Sequence, residues 1–264
     1  MLVRTWNVYH GNATPPERHA FLEQMVRLAV ADHPDIVCLQ ELPVWSVGHL
    51  DAWSDMRAVA DVTERPLLGS SELGRVITDV NHGLLRSAFT GQANALLLAQ
   101  AFSVREHRRL VLNPWSFRRR EALRFRLTFA ERFAWARNRR VCQVVRLARD
   151  DTTFVVANLH ASGLKDKRVA DAELLRAATF VDGFAEPSEP IVLAGDFNLT
   201  VAGSRALAEL AKPEWGFEGA TASGIDHILV RGLRARGAVP WSVERRTVAG
   251  RVLSDHAPVD REVA

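Results

Sequence analysis

Several apolar, strand-like runs in this chain end abruptly on side chains of the kind that hold metal ions or phosphate. Leu2-Val3-Arg4-Thr5-Trp6 leads to Asn7, and Ile36-Val37-Cys38-Leu39 leads to Gln40-Glu41. Pro190-Ile191-Val192-Leu193-Ala194 leads to Gly195-Asp196-Phe197-Asn198. Near the C-terminus, Leu253-Ser254-Asp255-His256-Ala257-Pro258 again sets an Asp beside a second ligand type. Short apolar runs of this length read as buried strands. The C-terminal ends of such strands are where open sheets gather their sites. The pattern predicts distant strands brought side by side around one metal and phosphate site.

A length of 264 residues with 47% hydrophobic content suits one large domain over 1–264. Charged residues make up 25% without a long acidic or basic tail, so ordered structure is expected. Cys38 and Cys142 lie in apolar runs and are read as reduced core residues, with neither zinc spacing nor a disulfide framework. The first strand begins at once, without a leader pattern. No apolar run approaches the roughly 20 residues of a membrane helix. A cytoplasmic protein with no stable membrane insertion is expected.

Residues 2–8 read as a strand. Pro15-Pro16-Glu17 is expected to open a helix carrying Phe21, Leu22, Met25, Leu28 and Ala29 on one face. Residues 36–39 read as a buried strand. Helices are expected over 53–60 and in 84–89, and strands over 93–98 and 104–112. Residues 142–147 and 153–159 read as a hairpin. An amphipathic helix is expected over 165–184, a strand over 190–194 and a short helix over 204–210. Further strands are expected over 225–230, 238–243 and 257–259. Strands outnumber the helices interleaved with them, which suits two packed sheets with helices outside.

Hydrolysing a phosphodiester requires neutralised nonbridging oxygens, an activated water and a stabilised leaving oxygen. Carboxylate and amide oxygens suit Mg²⁺, and His serves as a cation or a base according to what holds its other nitrogen. Asn7, Glu41, His160, Asp196, Asn198, Asp226, Asp255 and His256 all stand at expected strand ends. Each alone is compatible with a turn or a cap. Together, in this order, they point to phosphoester chemistry.

Thr5-Trp6-Asn7, Leu39-Gln40-Glu41, Gly91-Gln92-Ala93-Asn94-Ala95, Asn158-Leu159-His160, Gly195-Asp196-Phe197-Asn198, Ile225-Asp226-His227 and Ser254-Asp255-His256 span nearly the whole chain. Through them the sequence resembles the endonuclease/exonuclease/phosphatase superfamily of deoxyribonuclease-like phosphoesterases. That resemblance implies a four-layer α/β/β/α sandwich, with two mixed, mostly antiparallel sheets and helices outside. It implies Mg²⁺ or Mn²⁺ held chiefly by Glu41, with Asn7 and Asp255 close by. It implies that Asp196 and Asn198 orient the attacking water, and that His256, held by Asp226, binds the phosphate or acts as base. His160 would contact phosphate or protonate the leaving oxygen. Separately, Asn94, Arg139 and Arg140 are expected to bind substrate. The chain departs from the family where Ala222-Ser223-Gly224 replaces a Trp-rich segment of abasic-site enzymes, and where His227 follows Asp226 in place of Tyr or Arg.

Arg118 to Arg140 holds nine Arg against Glu121 and Glu131. One reading is a basic arm that grips a polyanion. The other is an amphipathic helix with Phe125, Phe129 and Phe133 facing the core and arginines in solvent. A basic surface helix on anionic lipid is a third. The function expected is a magnesium-dependent phosphodiesterase acting on DNA or RNA. The alternatives are hydrolysis of a lipid headgroup or small phosphorylated molecule, and a noncatalytic binding module on the same fold.

Overall fold

The computed structural model describes residues 1–17, 19–66, 71–80 and 90–264. The first strands along the chain are β1 (Leu2–Asn7), β2 (Ala13–Thr14), β3 (Ile36–Leu42), β4 (Arg57–Glu64) and β5 (Gln92–Leu98). They are followed by β6 (Ser103–Val111), β7 (Val141–Arg149), β8 (Thr152–His160), β9 (Ile191–Asp196) and β10 (Asp226–Arg231). The last are β11 (Val239–Pro240), β12 (Thr247–Val248), β13 (Arg251–Leu253) and β14 (Val259–Glu262). The helices are α1 (Leu22–Val30), α2 (Leu50–Ser54), α3 (Ser71–Val80), α4 (Trp115–Arg124), α5 (Phe129–Arg137), α6 (Arg168–Asp182) and α7 (Arg205–Leu210). Two compact units result, one of Met1–Phe102 with Val239–Val263 and one formed mainly by Ser103–Ala238.

The first unit is built on a six-stranded sheet ordered β11-β14-β1-β3-β5-β4, with a small sheet β12-β13-β2. β1 and β3 run parallel, joined through α1, and their register sets Asn7 beside Gln40. α1 forms because Leu22, Met25, Val26 and Ala29 recur at helical spacing and share a core with Val37, Leu39 and Leu97. Each large side chain so buried contributes roughly 1.5–3 kcal/mol. Glu23 and Arg27 pair across the solvent face at 2.8 Å. The strand β1 also carries Arg4, which has no exposed surface and is clamped by Asp32 at 2.7 Å and Asp260 at 2.8 Å.

The second unit is built on a five-stranded sheet ordered β10-β9-β8-β7-β6. It repeats the device: β8 and β9 run parallel around the crossover helix α6, and the register sets His160 beside Asp196. Val155, Ala157, Leu159, Ile191 and Leu193 meet Leu174, Ala177, Ala178 and Val181 of α6 in one core. Asp171, buried in the first turn of α6, accepts from Ser204 Oγ at 2.6 Å and Ala206 N at 3.0 Å. Ser204 in turn caps α7 through Leu207 N.

Several expected elements differ. The first helix starts at Leu22 and not at Pro15, because Ala13–Thr14 is drawn into pairing with β13 and Arg251 Nη1 donates to Pro15 O at 2.6 Å. Residues 57–64 form a strand and not a helix, because Val59 and Val62 pair along β5 and the helix before them stops at Ser54 with Asp55 left-handed. The strand expected over 238–243 is only Val239–Pro240, and the last strand starts at Val259, beyond Ala257-Pro258. The helix expected in 84–89 lies outside the described residues. The Phe row does not face the core: Phe129 is 85% and Phe133 67% exposed. The helical register breaks at 125–128, where Thr128 caps a new helix by a reciprocal pairing with Glu131. Phe117 and Trp135 are the aromatics buried there. Cys38 and Cys142 are both buried and neither is in a disulfide. Among the described residues no helix is long and apolar enough to cross a membrane.

Candidate active site

In the first unit, β1 ends on Asn7, which is 1% exposed and accepts from Tyr9 N through Oδ1 at 3.0 Å. Ser254 follows β13 and donates from Oγ to Asn7 O at 2.7 Å. The same hydroxyl accepts from His256 N at 3.1 Å and lies 3.5 Å from Asp255 Oδ1. Trp6 Nε1 holds His256 O at 3.1 Å. One serine and one indole thus fix the Asp255-His256 pair against the end of β1. Glu41 sits in an irregularity of β3 between Leu39 and Leu42, at φ 56°. Its Oε2 lies 3.4 Å from Nε2 of the buried His10, which is also 3.1 Å from the Gln92 side-chain amide. The sequence reading missed His10. Its signal is a His three residues past Asn7, followed by Gly11 in a left-handed turn that no Cβ fits.

Tyr9, His10, Glu41 and Ser254 all take positive φ, between 47° and 59°. Side chains other than Gly hold that conformation at a cost of roughly 1 kcal/mol or more each. Such strain gathers where geometry is fixed for function. The residues expected from the sequence to hold an ion, Asn7, Glu41 and Asp255, offer oxygen donors, the kind that suits a hard divalent cation. Asn94 is buried in β5, in register with Asp61 of β4.

In the second unit, His160, Asp196 and Asp226 end or begin three adjacent strands in one register row. They are 4%, 1% and 6% exposed. Asp196 Oδ1 accepts from Asn198 N at 2.9 Å, and Asn198 Nδ2 donates to Ala161 O at 3.0 Å. Arg140 Nη1 lies 2.8 Å from His160 Nδ1 and 3.1 Å from its Nε2. A guanidinium only donates. His160 Nε2 lies 3.4 Å from Asp196 Oδ2. Two buried carboxylates side by side on neighbouring strands favour a cationic or protonated group near them. Arg140 is itself buried, with its N bonded to Asn113 Oδ1 at 2.8 Å, while Arg139 is exposed.

The loop after His160 is pinned from behind. Glu173 of α6 accepts from Ser162 N at 2.6 Å, Ser162 Oγ at 2.8 Å and Trp135 Nε1 at 2.6 Å. Burial pushes its carboxyl up, against those hydrogen bonds. His227 has a similar supporting place. Its Nδ1 accepts from Thr221 N at 3.0 Å, so the proton is on Nε2, 2.8 Å from Leu199 O. That bond ties β10 to the residue after Asn198. Burial holds the His227 imidazole below its ordinary value of 6.5 despite the Leu199 bond. Below about pH 6.5 the unfolded chain takes up a proton at this histidine and the folded chain does not, so stability falls as pH drops. His227→Gln is expected to flatten that part of the profile. Urea midpoints at about pH 7.5 and about pH 5 check it, and an equal drop in both proteins would contradict the assignment.

Two parallel β-α-β ends thus bear carboxylates, amides and imidazoles. Residues 5–256 match the Endonuclease/Exonuclease/phosphatase family. The chain belongs to that family, whose members are hydrolases acting on phosphoesters and typically use divalent metals. No curated protein sequence matches it significantly. Among solved structures, an endonuclease/exonuclease/phosphatase from Bacteroides vulgatus is similar over 100% of this chain and 98% of that one, at 16% identity and TM-score 0.71. The human Nocturnin catalytic domain with bound sulfate is similar over 100% and 94%, at 16% identity and TM-score 0.66. A mannosyl-6-phosphatase from Bacteroides thetaiotaomicron is similar over 100% and 99%, at 16% identity and TM-score 0.66. These likenesses show the fold, and the α/β sandwich class expected from the sequence is borne out.

Proposed function

We propose that residues 1–264 act as one domain that hydrolyses phosphodiesters of nucleic acid with Mg²⁺ or Mn²⁺, in the cytoplasm. The observation that carries the hydrolysis is the row His160, Asp196, Asp226, buried at the strand ends of a family phosphoesterase fold. Glu41, with Asn7 and Asp255, would hold the ion. The ion supplies charge neutralisation at the phosphoryl oxygens. Asp196, aimed by the Asn198 amide, orients the attacking water and receives its proton. His160 would contact the phosphate or, as an imidazolium, give a ring proton to the leaving oxygen and return to neutral imidazole. His256 binds the phosphate, and Asp226 serves as an orienting carboxylate. Asn94, Arg139 and Arg140 contact substrate.

The nucleic-acid reading is supported by α4 and α5. Phe129 and Phe133 stand out in solvent among exposed arginines that include Arg119, Arg126 and Arg137. Bases stack on exposed aromatic rings for about 1–3 kcal/mol each, and arginines take the phosphates. A triple variant of Arg119, Arg126 and Arg137 to Gln is expected to lower the salt slope of single-strand binding by about 0.7 for every phosphate it no longer neutralises. An unchanged slope, measured by fluorescence anisotropy over a range of salt, would reject the arm.

A second reading, a phosphatase on a small phosphorylated molecule, is favoured by the likeness to a mannosyl-6-phosphatase. One assay separates the two. Single-stranded and plasmid DNA, RNA and a small sugar phosphate are incubated with Mg²⁺, with Mn²⁺ and with chelator. Cleavage of the polymers that chelator stops supports the first reading. Release of phosphate from the sugar phosphate alone supports the second. No cleavage, and no bound divalent ion, returns the chain to a binding module.

A further inference from the structure

An open cleft in the second unit lies among β6, α4 and α6, and none of the residues given a catalytic role lines it. Its volume is about 420 Å³, the size of pockets that take small organic molecules. Leu110, Phe117 and Phe180 give it an apolar wall. Its charged residues are Arg120, Arg124, Arg176 and Glu121. Glu121 is buried and is taken up by two of the arginines, Arg120 Nε at 2.8 Å and Arg124 Nη1 at 3.3 Å. Three guanidiniums against one carboxylate leave about two positive charges.

Arg176 is the key member. Its guanidinium carbon lies 5.1 Å from the centre of the Phe117 ring, and that of Arg120 lies 5.4 Å from the same centre. Two like charges are therefore gathered on one phenyl group beside the cleft. Arg176 Nε reaches the Val111 carbonyl at 3.4 Å. Its pKa is held down, first by burial and then by the charge of Arg120. Bringing such groups together in a half-buried place is unfavourable until an anion lies between them.

We propose that this cleft binds a phosphate monoester with an aromatic or aliphatic body. The phosphate, at about −1.5 to −2 near pH 7, matches the excess charge and sits on Arg176 and Arg120. The body lies on Leu110 and Phe180. Arginine is suited to the phosphate by its fork of donors. The site is separate from the hydrolytic centre, so its occupancy needs no divalent ion.

Isothermal titration of the full chain in chelator tests this, with phenylphosphonate as a probe that is not hydrolysed, and with inorganic phosphate and octanoate beside it. Phenylphosphonate is expected to bind at least tenfold more tightly than either. Arg176→Met and Arg120→Gln are each expected to weaken it at least tenfold, while Arg205→Gln, at an exposed arginine outside the cleft, leaves it unchanged. The Arg120 side chain is 69% exposed, so its loss leaves the fold intact. Absence of binding, binding unaltered in both cleft variants, or equal loss in Arg205→Gln would overturn the site. Inorganic phosphate binding as tightly would overturn the apolar wall, and octanoate binding as tightly would overturn the phosphate.

Discussion

Glu41→Gln is expected to lower kcat on a phosphodiester on the order of 10³-fold while the protein stays folded. The substitution keeps the shape of the side chain and removes one negative charge. That charge is held in a strand irregularity at φ 56°. Its carboxylate is only 17% exposed and has the buried His10 at 3.4 Å. Neutralising it removes attraction for a divalent ion but leaves the packing of Leu39 and Leu42 in place. Thermal unfolding of the variant is expected to match the wild type to within about 1 kcal/mol. Turnover within tenfold of wild type, at saturating Mg²⁺, would remove Glu41 from the proposed centre.

Gly195→Ala is expected to destabilise the second unit by several kcal/mol, on the order of 4. Gly195 has φ 139°, and a Cβ there would stand 1.9 Å from Leu159 O and 2.9 Å from Leu159 C. Both are backbone atoms of β8 in a parallel pair, so no side-chain rotation relieves the clash. The only response is to part β8 from β9 where Leu159 pairs with Gly195 and His160 with Asp196. Activity is therefore expected to fall further than stability alone dictates. Urea denaturation at fixed temperature gives the difference, and a loss under about 1 kcal/mol would show that the strand ends yield easily.

Several strand ends that carry the candidate residues were legible because they sit at changes of pattern. Ile191 to Ala194 is apolar without interruption, and the switch to Gly195-Asp196 marks the strand end whatever the rest of the chain does. Asn7 and His160 likewise close β1 and β8, whereas Glu41 lies inside β3, one residue before its end at Leu42. What was not legible depends on contacts between segments far apart in sequence. His10 follows no apolar run, and only folding sets it beside Glu41 and Gln92. Arg4 reads as a solvent-facing strand residue until Asp32 and Asp260 arrive from 28 and 256 residues away. The His227 ring, next to Asp226 in sequence, is a strut and not a ligand because Thr221 and Leu199 occupy both its nitrogens. The Phe125-Phe129-Phe133 row misled because its spacing of four presumes one helix. The Thr128-Phe129-Ala130-Glu131 cap that divides it was present in the sequence and outweighs the spacing.

The central claim is that the buried row His160, Asp196 and Asp226 carries phosphoester hydrolysis. A double-mutant cycle in kcat, with His160→Gln and Asp196→Asn singly and together, tests it most directly. Groups that act on one transition state lose their effects non-additively. The double variant is expected to be about as slow as the slower single one. A double variant slowed by the product of the two single factors would contradict a shared centre.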